Sequence, residues 1–167
     1  MLNRLAYQVY ERHLDFDNVA FISLQPRGVF LGERIVEKLC ALTNNETINH
    51  GVLDVTFYRD DFRRRDQMLV PSKTKLNFSL EGKEIILIDD VLYTGRTVRS
   101  GLDAMLDFGR PKNVELLVLI DRRFSRELPV QPDYTGRVVD VVSEERVTVE
   151  WDEKNKNNKV TLFSSEK

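Results

Sequence analysis

Residues 85–97 read Ile-Ile-Leu-Ile-Asp-Asp-Val-Leu-Tyr-Thr-Gly-Arg-Thr, and this stretch decides how the chain folds. Its first four residues form a continuous apolar run, which is typical of a short strand that is buried on both faces. Two adjacent acids, Asp89 and Asp90, follow where the predicted strand ends. The small pair Thr94-Gly95 then leads into residues 98–105, whose apolar positions have helical spacing. A strand, a turn and a helix in this order form a unit of an α/β sheet, which binds ligands at the carboxyl ends of its strands.

The same alternation continues on both sides of this stretch. Apolar spacing predicts helices over residues 3–13 and 31–42, strands over 19–24 and 114–120, and a further strand near 50–58. Three more short segments are predicted as strands, namely 138–142, 147–151 and 160–163. The pattern favours one α/β domain over residues 1–167, built on a mainly parallel, twisted sheet that is flanked by helices.

The composition excludes several classes of protein. The chain has 25 Lys and Arg residues against 27 Asp and Glu residues, a net charge of −2, which argues against a surface that binds polyanions everywhere. A single cysteine and two histidines exclude an internal disulfide, a Cys-rich zinc site and a multi-histidine metal site. No apolar run reaches the roughly 18 residues of a membrane helix, and no leader pattern opens the sequence, so we expect a cytoplasmic protein without a membrane partner.

The acids and the turn of residues 85–97 indicate a ribose-phosphate site. Carboxylates accept hydrogen bonds from sugar hydroxyls and can hold a hydrated Mg²⁺ ion. Backbone N–H groups and hydroxyls at the start of a helix can surround a phosphate, and the helix dipole adds to the attraction. The alternative is a strand end followed by a helix cap without a ligand. No Walker or GxGxxG pattern is present, which disfavours an NTPase or a dinucleotide-binding domain.

Residues 89–99, Asp-Asp-Val-Leu-Tyr-Thr-Gly-Arg-Thr-Val-Arg, resemble the phosphoribosyl-pyrophosphate (PRPP) motif of type I phosphoribosyltransferases, and more narrowly that of the PyrR family. That family comprises bacterial pyrimidine-operon attenuation regulators that also act as uracil phosphoribosyltransferases. The resemblance covers about residues 2–150. Four further segments recur in the family in the same order, namely Thr56–Asp61, Gly109–Pro111, Arg126–Pro129 and Asp133–Gly136.

The resemblance implies a type I phosphoribosyltransferase fold with a flexible lid at residues 59–76 and a small hood at residues 122–145. It implies the reaction of uracil or a related base with PRPP to give UMP and pyrophosphate, with Mg²⁺ as the cofactor carried on PRPP. It also implies a homodimer or a higher homo-oligomer.

The resemblance also assigns roles to individual residues. Asp89 and Asp90 would contact the ribose hydroxyls and hold the metal through water, and Asp90 matches the position of a general base in related enzymes. Asp121 and Arg122 are candidates for contacts with the base, or alternatively for an ion pair that ends a strand. The expected catalytic residues are Arg27, Asp89 and Asp90. The expected substrate-binding residues are Arg27, Gly28, Arg59, Asp89, Asp90, Val91, Tyr93, Thr94, Gly95, Arg96, Thr97, Asp121 and Arg122.

Two departures from the family leave other functions open. The pyrophosphate turn reads Gln25-Pro26-Arg27-Gly28 where the family has Lys-Thr-Arg-Gly, which removes one positive charge and one N–H donor. Glu144 and Glu145 occupy positions where lysines are common, so we expect RNA binding to be weak or lost. The alternatives are therefore a nucleotide-sensing regulator with little or no catalysis, and a phosphoribosyltransferase that acts on a purine base.

Overall fold

The structure, a computed structural model, describes residues 1–45, 47–58, 74–140, 145–152 and 158–163. Within these residues the chain alternates between helices and strands over most of its length. In chain order the elements are α1 (Leu2–Arg12), β1 (Val19–Leu24), α2 (Gly28–Thr43), β2 (Asn49–Leu53), a 3₁₀ turn (Thr56–Tyr58), β3 (Glu84–Leu92), α3 (Arg96–Met105), a second 3₁₀ turn (Leu106–Phe108), β4 (Asn113–Arg123), β5 (Tyr134–Asp140), β6 (Arg146–Glu150) and β7 (Lys159–Phe163).

The main sheet has five strands in the order β2-β1-β3-β4-β5, and every neighbouring pair is parallel. Strands β6 and β7 form a separate antiparallel hairpin. The prediction of a mainly parallel sheet flanked by helices is therefore confirmed. None of the helices in the described part of the chain is long and apolar enough to cross a membrane.

Both faces of the sheet are covered, and β3 shows how the sequence achieves this. Ile86 and Ile88 pack into the core that also contains the buried faces of α1 and α2, whereas Ile85 and Leu87 pack into the core beneath α3. All four side chains are fully buried, and each contributes about 1.5–3 kcal/mol of hydrophobic stabilisation. A continuous apolar run is therefore what a central strand between two helical layers requires.

Several predicted strand boundaries are wrong, because pairing with a neighbouring strand or a local turn determines where the strand ends. Strand β3 continues through the two acids to Leu92 because it stays paired with β4 as far as Asp121. Strand β4 continues to Arg123 because it stays paired with β5 as far as Asp140. Strand β2 ends at Leu53, in the middle of the predicted strand at 50–58. A carboxylate oxygen of Asp54 accepts hydrogen bonds from the Thr56 backbone N–H at 2.9 Å and from its hydroxyl at 2.6 Å, which favours a turn.

Candidate active site

The sheet changes direction between β1 and β3, and this is where the predicted site lies. The chain leaves β1 for β2 on one side, whereas β3, β4 and β5 extend to the other side. In such sheets the carboxyl ends of the two strands at the change of direction border a crevice that binds ligands. The turn at residues 25–27 follows β1, and Asp89 and Asp90 lie near the end of β3, so the fold brings both predicted segments to this crevice.

Gly28 allows the turn after β1 to approach β3 closely. A Cβ atom at this position would lie 2.5 Å from the carbonyl oxygen of Ile88 and 3.2 Å from the Cα atom of Asp89, so no larger residue fits. Gly28 is also the first residue of α2, and the exposed Arg27 precedes it. The Gln25–Pro26 peptide bond is cis. The glycine therefore holds Arg27 and the amino end of α2 beside the two acids.

The two acids are buried although they lie at the edge of the sheet. Asp89 is 7% exposed and Asp90 is 3% exposed. The backbone N–H of Asp90 donates to a carboxylate oxygen of Asp89 at 2.9 Å. The Oδ2 atom of Asp90 is buried and has no hydrogen-bond partner among the residues that the structure describes. Because an unpaired buried carboxylate oxygen is costly, it marks Asp90 as a group that is arranged for a ligand.

Burial raises the pKa of Asp90 above its ordinary value. The positive charge of Arg27 and the backbone N–H of Val91 oppose this shift but do not cancel it. A carboxylate with a raised pKa is a better proton acceptor near neutral pH than an ordinary aspartate. Perturbed carboxylates of this kind are concentrated at functional sites.

Residues 93–97 comprise the turn between β3 and α3 and the first two residues of α3, and we call this segment the 93–97 loop. Gly95 has φ +92°, a conformation that other residues rarely adopt, and it immediately precedes the helix. The N-cap residue of α3, Gly95, has no side chain to cap the helix, and the hydroxyl of Thr94 accepts a hydrogen bond from the backbone N–H of Arg96 at 3.4 Å. The other first-turn N–H groups and the positive end of the helix dipole are a suitable environment for a phosphate. The remaining predicted residues here, Val91 and Thr97, are half-buried beside the acids and at the start of α3.

Asp121 and Arg122 lie at the carboxyl end of β4, beside the 93–97 loop. The guanidinium of Arg122 stacks on the ring of Tyr93 at 4.0 Å from its centroid and donates to the carbonyl oxygen of Glu145 at 2.8 Å. Asp121 pairs with Arg126, which also donates to the carbonyl oxygen of Tyr93. Sequence reasoning did not place Arg126 in the site, although it lies in a segment that carries the family resemblance.

Two predicted regions can be located only in part. Arg59 and the other arginines of the expected lid lie outside the described residues, which resume at residue 74. In the expected hood, residues 141–144 are outside the description, and residues 134–140 form β5, the edge strand of the main sheet.

The acids fit a hydrated magnesium ion better than a metal held by protein ligands alone. In the described ranges, no group of three or more His, Cys, Asp or Glu residues is arranged to hold a metal ion. Mg²⁺ commonly keeps several waters and binds to one or two carboxylates together with substrate phosphates. Asp89 and Asp90, with the unpartnered oxygen of Asp90, are the residues that would hold it.

Comparisons of sequence identify relatives over nearly the whole chain. The model of the phosphoribosyl transferase domain family matches residues 1–154. A bifunctional protein PyrR from Geobacter sp. (strain M21) is 40% identical over 161 residues, which cover 96% of this chain and 90% of the relative. The bifunctional protein PyrR of Acetivibrio thermocellus is 43% identical over 166 residues, which cover 99% of this chain and 89% of the relative.

Solved structures show the same fold at much lower identity. A hypoxanthine-guanine-xanthine phosphoribosyltransferase aligns with a TM-score of 0.63 and 18% identity, over 98% of this chain and 85% of that chain. A hypoxanthine-guanine phosphoribosyltransferase of Bacillus anthracis aligns with a TM-score of 0.63 and 14% identity, over 93% and 85% of the two chains. The expected type I phosphoribosyltransferase fold is thus confirmed, and the chain belongs to the phosphoribosyltransferase family and, within it, to the bifunctional PyrR proteins.

Proposed function

We propose that this phosphoribosyltransferase transfers the 5-phosphoribosyl group of PRPP to uracil, giving UMP and pyrophosphate with Mg²⁺ as cofactor. The observation that carries the proposal is the position of the buried acids Asp89 and Asp90. They lie between the 93–97 loop, which can receive a phosphate, and the turn that presents Arg27. This arrangement provides one place each for the 5′-phosphate, the ribose and the pyrophosphate.

In the proposed complex, the N–H groups and hydroxyls of the 93–97 loop bind the 5′-phosphate. Asp89 and Asp90 accept hydrogen bonds from the ribose hydroxyls. Arg27 contacts the pyrophosphate, and the glycine beside it allows the backbone to approach. Mg²⁺, when bound, neutralises part of the pyrophosphate charge. Because the 5′-phosphate, the ribose and the pyrophosphate of PRPP are all held, C1′ is positioned for attack. This positioning, together with stabilisation of the departing charge, is the main contribution that the enzyme makes to the reaction.

The reaction breaks the bond between C1′ and the pyrophosphate oxygen and forms a bond between C1′ and N1 of uracil. The electron pair of the broken bond leaves with pyrophosphate, and the ribose passes through a state that resembles an oxocarbenium ion. N1 of uracil loses one proton. We assign Asp90 as the acceptor of that proton, because burial raises its pKa and one of its oxygens has no partner among the described residues.

A pyrimidine base is favoured over a purine by the relatives at about 40% identity, which are PyrR proteins, and by the resemblance of residues 85–97. The purine enzymes among the solved structures are 18% identical or less, and they support the fold alone. We place the base near Arg122 and Tyr93, with the backbone of Val138 and Val139 on the adjacent strand as candidate contacts.

Pyrophosphate release from PRPP tests the proposal directly. We expect release with Mg²⁺ and uracil, together with formation of UMP, and little release with hypoxanthine, guanine or xanthine. Omission of Mg²⁺ and of the base serve as controls. Release with a purine but not with uracil would support the purine alternative, and no release with any of the four bases would contradict catalysis.

The turn after β1 supports a second candidate function, a nucleotide-sensing regulator with little turnover. The N–H of Gln25 donates to the carbonyl oxygen of Leu53 at 3.0 Å, and Pro26 has no N–H. The first half of the turn therefore offers pyrophosphate no backbone donor. Calorimetric binding of UMP, combined with a very low rate of pyrophosphate release, would favour this function over efficient catalysis.

Regulation through RNA receives less support from the described residues. The candidates for RNA contacts are the arginines at the carboxyl-terminal side of the chain, namely Arg122, Arg123, Arg126, Arg137 and Arg146. Arg122 is buried, Arg123 pairs with Asp140 at 2.6 Å and Arg126 pairs with Asp121. Arg137 and Arg146 are exposed and pair with no acid among the residues that the structure describes. We therefore expect weak RNA binding, because phosphate contacts supply most of the affinity. A salt-dependent mobility shift of a structured pyrimidine-operon leader at submicromolar protein, strengthened by UMP, would contradict this.

A further inference from the structure

The segment at residues 126–130 packs against the 93–97 loop from the side of β4, and we call it the brace. Its contacts with the loop come from backbone and side chains alike. The carbonyl oxygen of Thr94 accepts hydrogen bonds from the N–H groups of Glu127 at 3.0 Å and of Leu128 at 3.2 Å. A Cβ atom on Gly95 would lie 3.4 Å from side-chain atoms of Leu128 and Val130, which is ordinary packing distance.

Arg126 joins the brace to both the loop and the sheet. Its guanidinium donates to the carbonyl oxygen of Tyr93 through one nitrogen and to the carboxylate of Asp121 through the other. Asp121 belongs to β4, and the side chains of Arg126 and Asp121 are 23% and 14% exposed. The planar, half-buried guanidinium therefore holds two acceptors in fixed positions, which the flexible ammonium group of a lysine cannot do.

These contacts determine which way the N–H groups of the loop point. In a trans peptide the C=O and the following N–H point in opposite directions. Because Tyr93 and Thr94 both direct their carbonyl oxygens towards the brace, the N–H groups of Thr94 and Gly95 point away from it. These two successive N–H groups point to one side, and the second belongs to Gly95, which has a positive φ. Such an arrangement forms an anion-binding concavity.

We propose that the brace holds the 93–97 loop in its anion-binding conformation and that Arg126 is a positioning residue for the 5′-phosphate of PRPP. This inference rests on the proposed function, because it assigns the 5′-phosphate to the loop. Arg126 acts through the Tyr93 carbonyl and does not itself contact the substrate. The phosphate stays bound throughout the reaction, so the brace stabilises the ground state and the transition state equally. Its loss is expected to raise the KM for PRPP and to leave kcat nearly unchanged.

Four variants test this inference, namely Arg126→Ala, Arg126→Lys, Asp121→Asn and Arg123→Ala. Arg123→Ala is a matched control, because Arg123 lies at the end of β4, close to Asp121, but its guanidinium pairs with Asp140. For Arg126→Ala we expect a roughly 10- to 100-fold higher KM for PRPP, with kcat and the KM for uracil changed by less than about threefold. Arg126→Lys and Asp121→Asn should be intermediate, and Arg123→Ala should match the unchanged protein.

Calorimetric binding of PRPP to the same proteins separates this inference from the proposed function. If the unchanged protein binds PRPP without turnover and Arg126→Ala weakens that binding, catalysis fails and the brace is supported. If the unchanged protein is active and Arg126→Ala alters the KM for PRPP by less than about twofold, the brace is refuted and the function stands. An equal rise in KM for Arg123→Ala would also refute it. Should Arg126→Ala not fold, the Lys and Asn variants decide between these outcomes.

Discussion

Buried acids lie at both ends of the central strands, but the acids at the two ends differ in how many hydrogen-bond partners they have. At the amino end, Glu115 is 4% exposed, and its carboxylate contacts His13 at 2.8 Å, Arg12 at 2.8 Å and the hydroxyl of Tyr134 at 2.6 Å. At the carboxyl end, Asp90 is 3% exposed and has one oxygen without a partner among the described residues. Both carboxylate oxygens of Glu115 have partners within the protein, whereas one oxygen of Asp90 is open to a ligand.

The cluster around Glu115 stabilises the fold. Arg12 and His13 lie at the end of α1, so their contacts with Glu115 attach this helix to the amino end of β4. Burial and the hydrogen bond to Glu115 raise the pKa of Tyr134, which keeps its hydroxyl protonated as a donor. A buried carboxylate whose oxygens are all satisfied is expensive to disturb, because removal of one partner leaves the others unpaired.

The largest expected effect is on catalysis at the carboxyl end. Asp90→Asn removes the proposed proton acceptor and is expected to lower the rate of pyrophosphate release at least about 100-fold. The circular dichroism spectrum should be unchanged, because Asn has nearly the same shape. Retained activity in this variant would remove Asp90 from the mechanism.

The next effect is on stability at the amino end. Glu115→Ala leaves Arg12, His13 and Tyr134 without their common acceptor and is expected to lower the free energy of unfolding by about 3 kcal/mol. Urea unfolding measures the loss. The KM for PRPP of the folded variant should be unchanged, and a raised KM would show that the two ends of the sheet are coupled.

A smaller effect of opposite sign is expected when Asp90→Asn is unfolded in urea. Because burial raises the folded-state pKa of Asp90 above its ordinary value of 3.8, the ionised side chain destabilises the fold at neutral pH. The variant should therefore be more stable than the unchanged protein at pH 7. The difference should shrink as the pH falls through the raised folded-state pKa and disappear below 3.8, where the carboxyl becomes neutral in both states. A loss of stability at pH 7 would mean that the charge of Asp90 is well compensated.

The smallest effect concerns a part-buried polar pair, Ser23 and His50, on the neighbouring strands β1 and β2. The two side chains are 2.8 Å apart, and burial lowers the pKa of His50 from its ordinary value of 6.5. The neutral ring is thus favoured in the fold, and its contribution to stability is lost as the pH falls below 6.5. In His50→Gln, the free energy of unfolding should depend less on pH below 6.5 than in the unchanged protein, and the two slopes should differ by less than about 1.4 kcal/mol per pH unit. An unchanged profile would show that His50 does not contribute to it.

Much of the fold could be predicted because it depends on local patterns. The run at residues 85–88 identified a central strand, and the helical spacing of residues 31–42 identified most of α2. The ends of these elements could not be predicted. Strand β3 includes both acids because β4 continues beside it, and no property of residues 89–92 alone indicates that pairing.

The candidate site, too, has a part that could be predicted from the sequence and a part that could not. Asp89, Asp90 and the 93–97 loop are close in the sequence, and their chemistry could be interpreted without a structure. The contact between Arg126 and Tyr93 spans 33 residues, and Arg126 had been considered only for RNA. Asp121 and Arg122 are predicted to contact the base or to form an ion pair that ends the strand, and the structure adds that Asp121 pairs with Arg126 and that Arg122 stacks on Tyr93.

The sequence by itself determined the α/β architecture, the family and the acids at the end of β3, because strand periodicity and a continuous motif are local properties of the chain. Only the tertiary structure decided how the buried acids are paired. Glu115 meets His13 across 102 residues, and Asp90 lies beside a turn that begins after β1. Such pairings depend on strand order and on close approaches such as that of Gly28 to Ile88. Neither leaves a local signal, and it is these pairings that separate the cluster that stabilises the fold from the one that is open to a ligand.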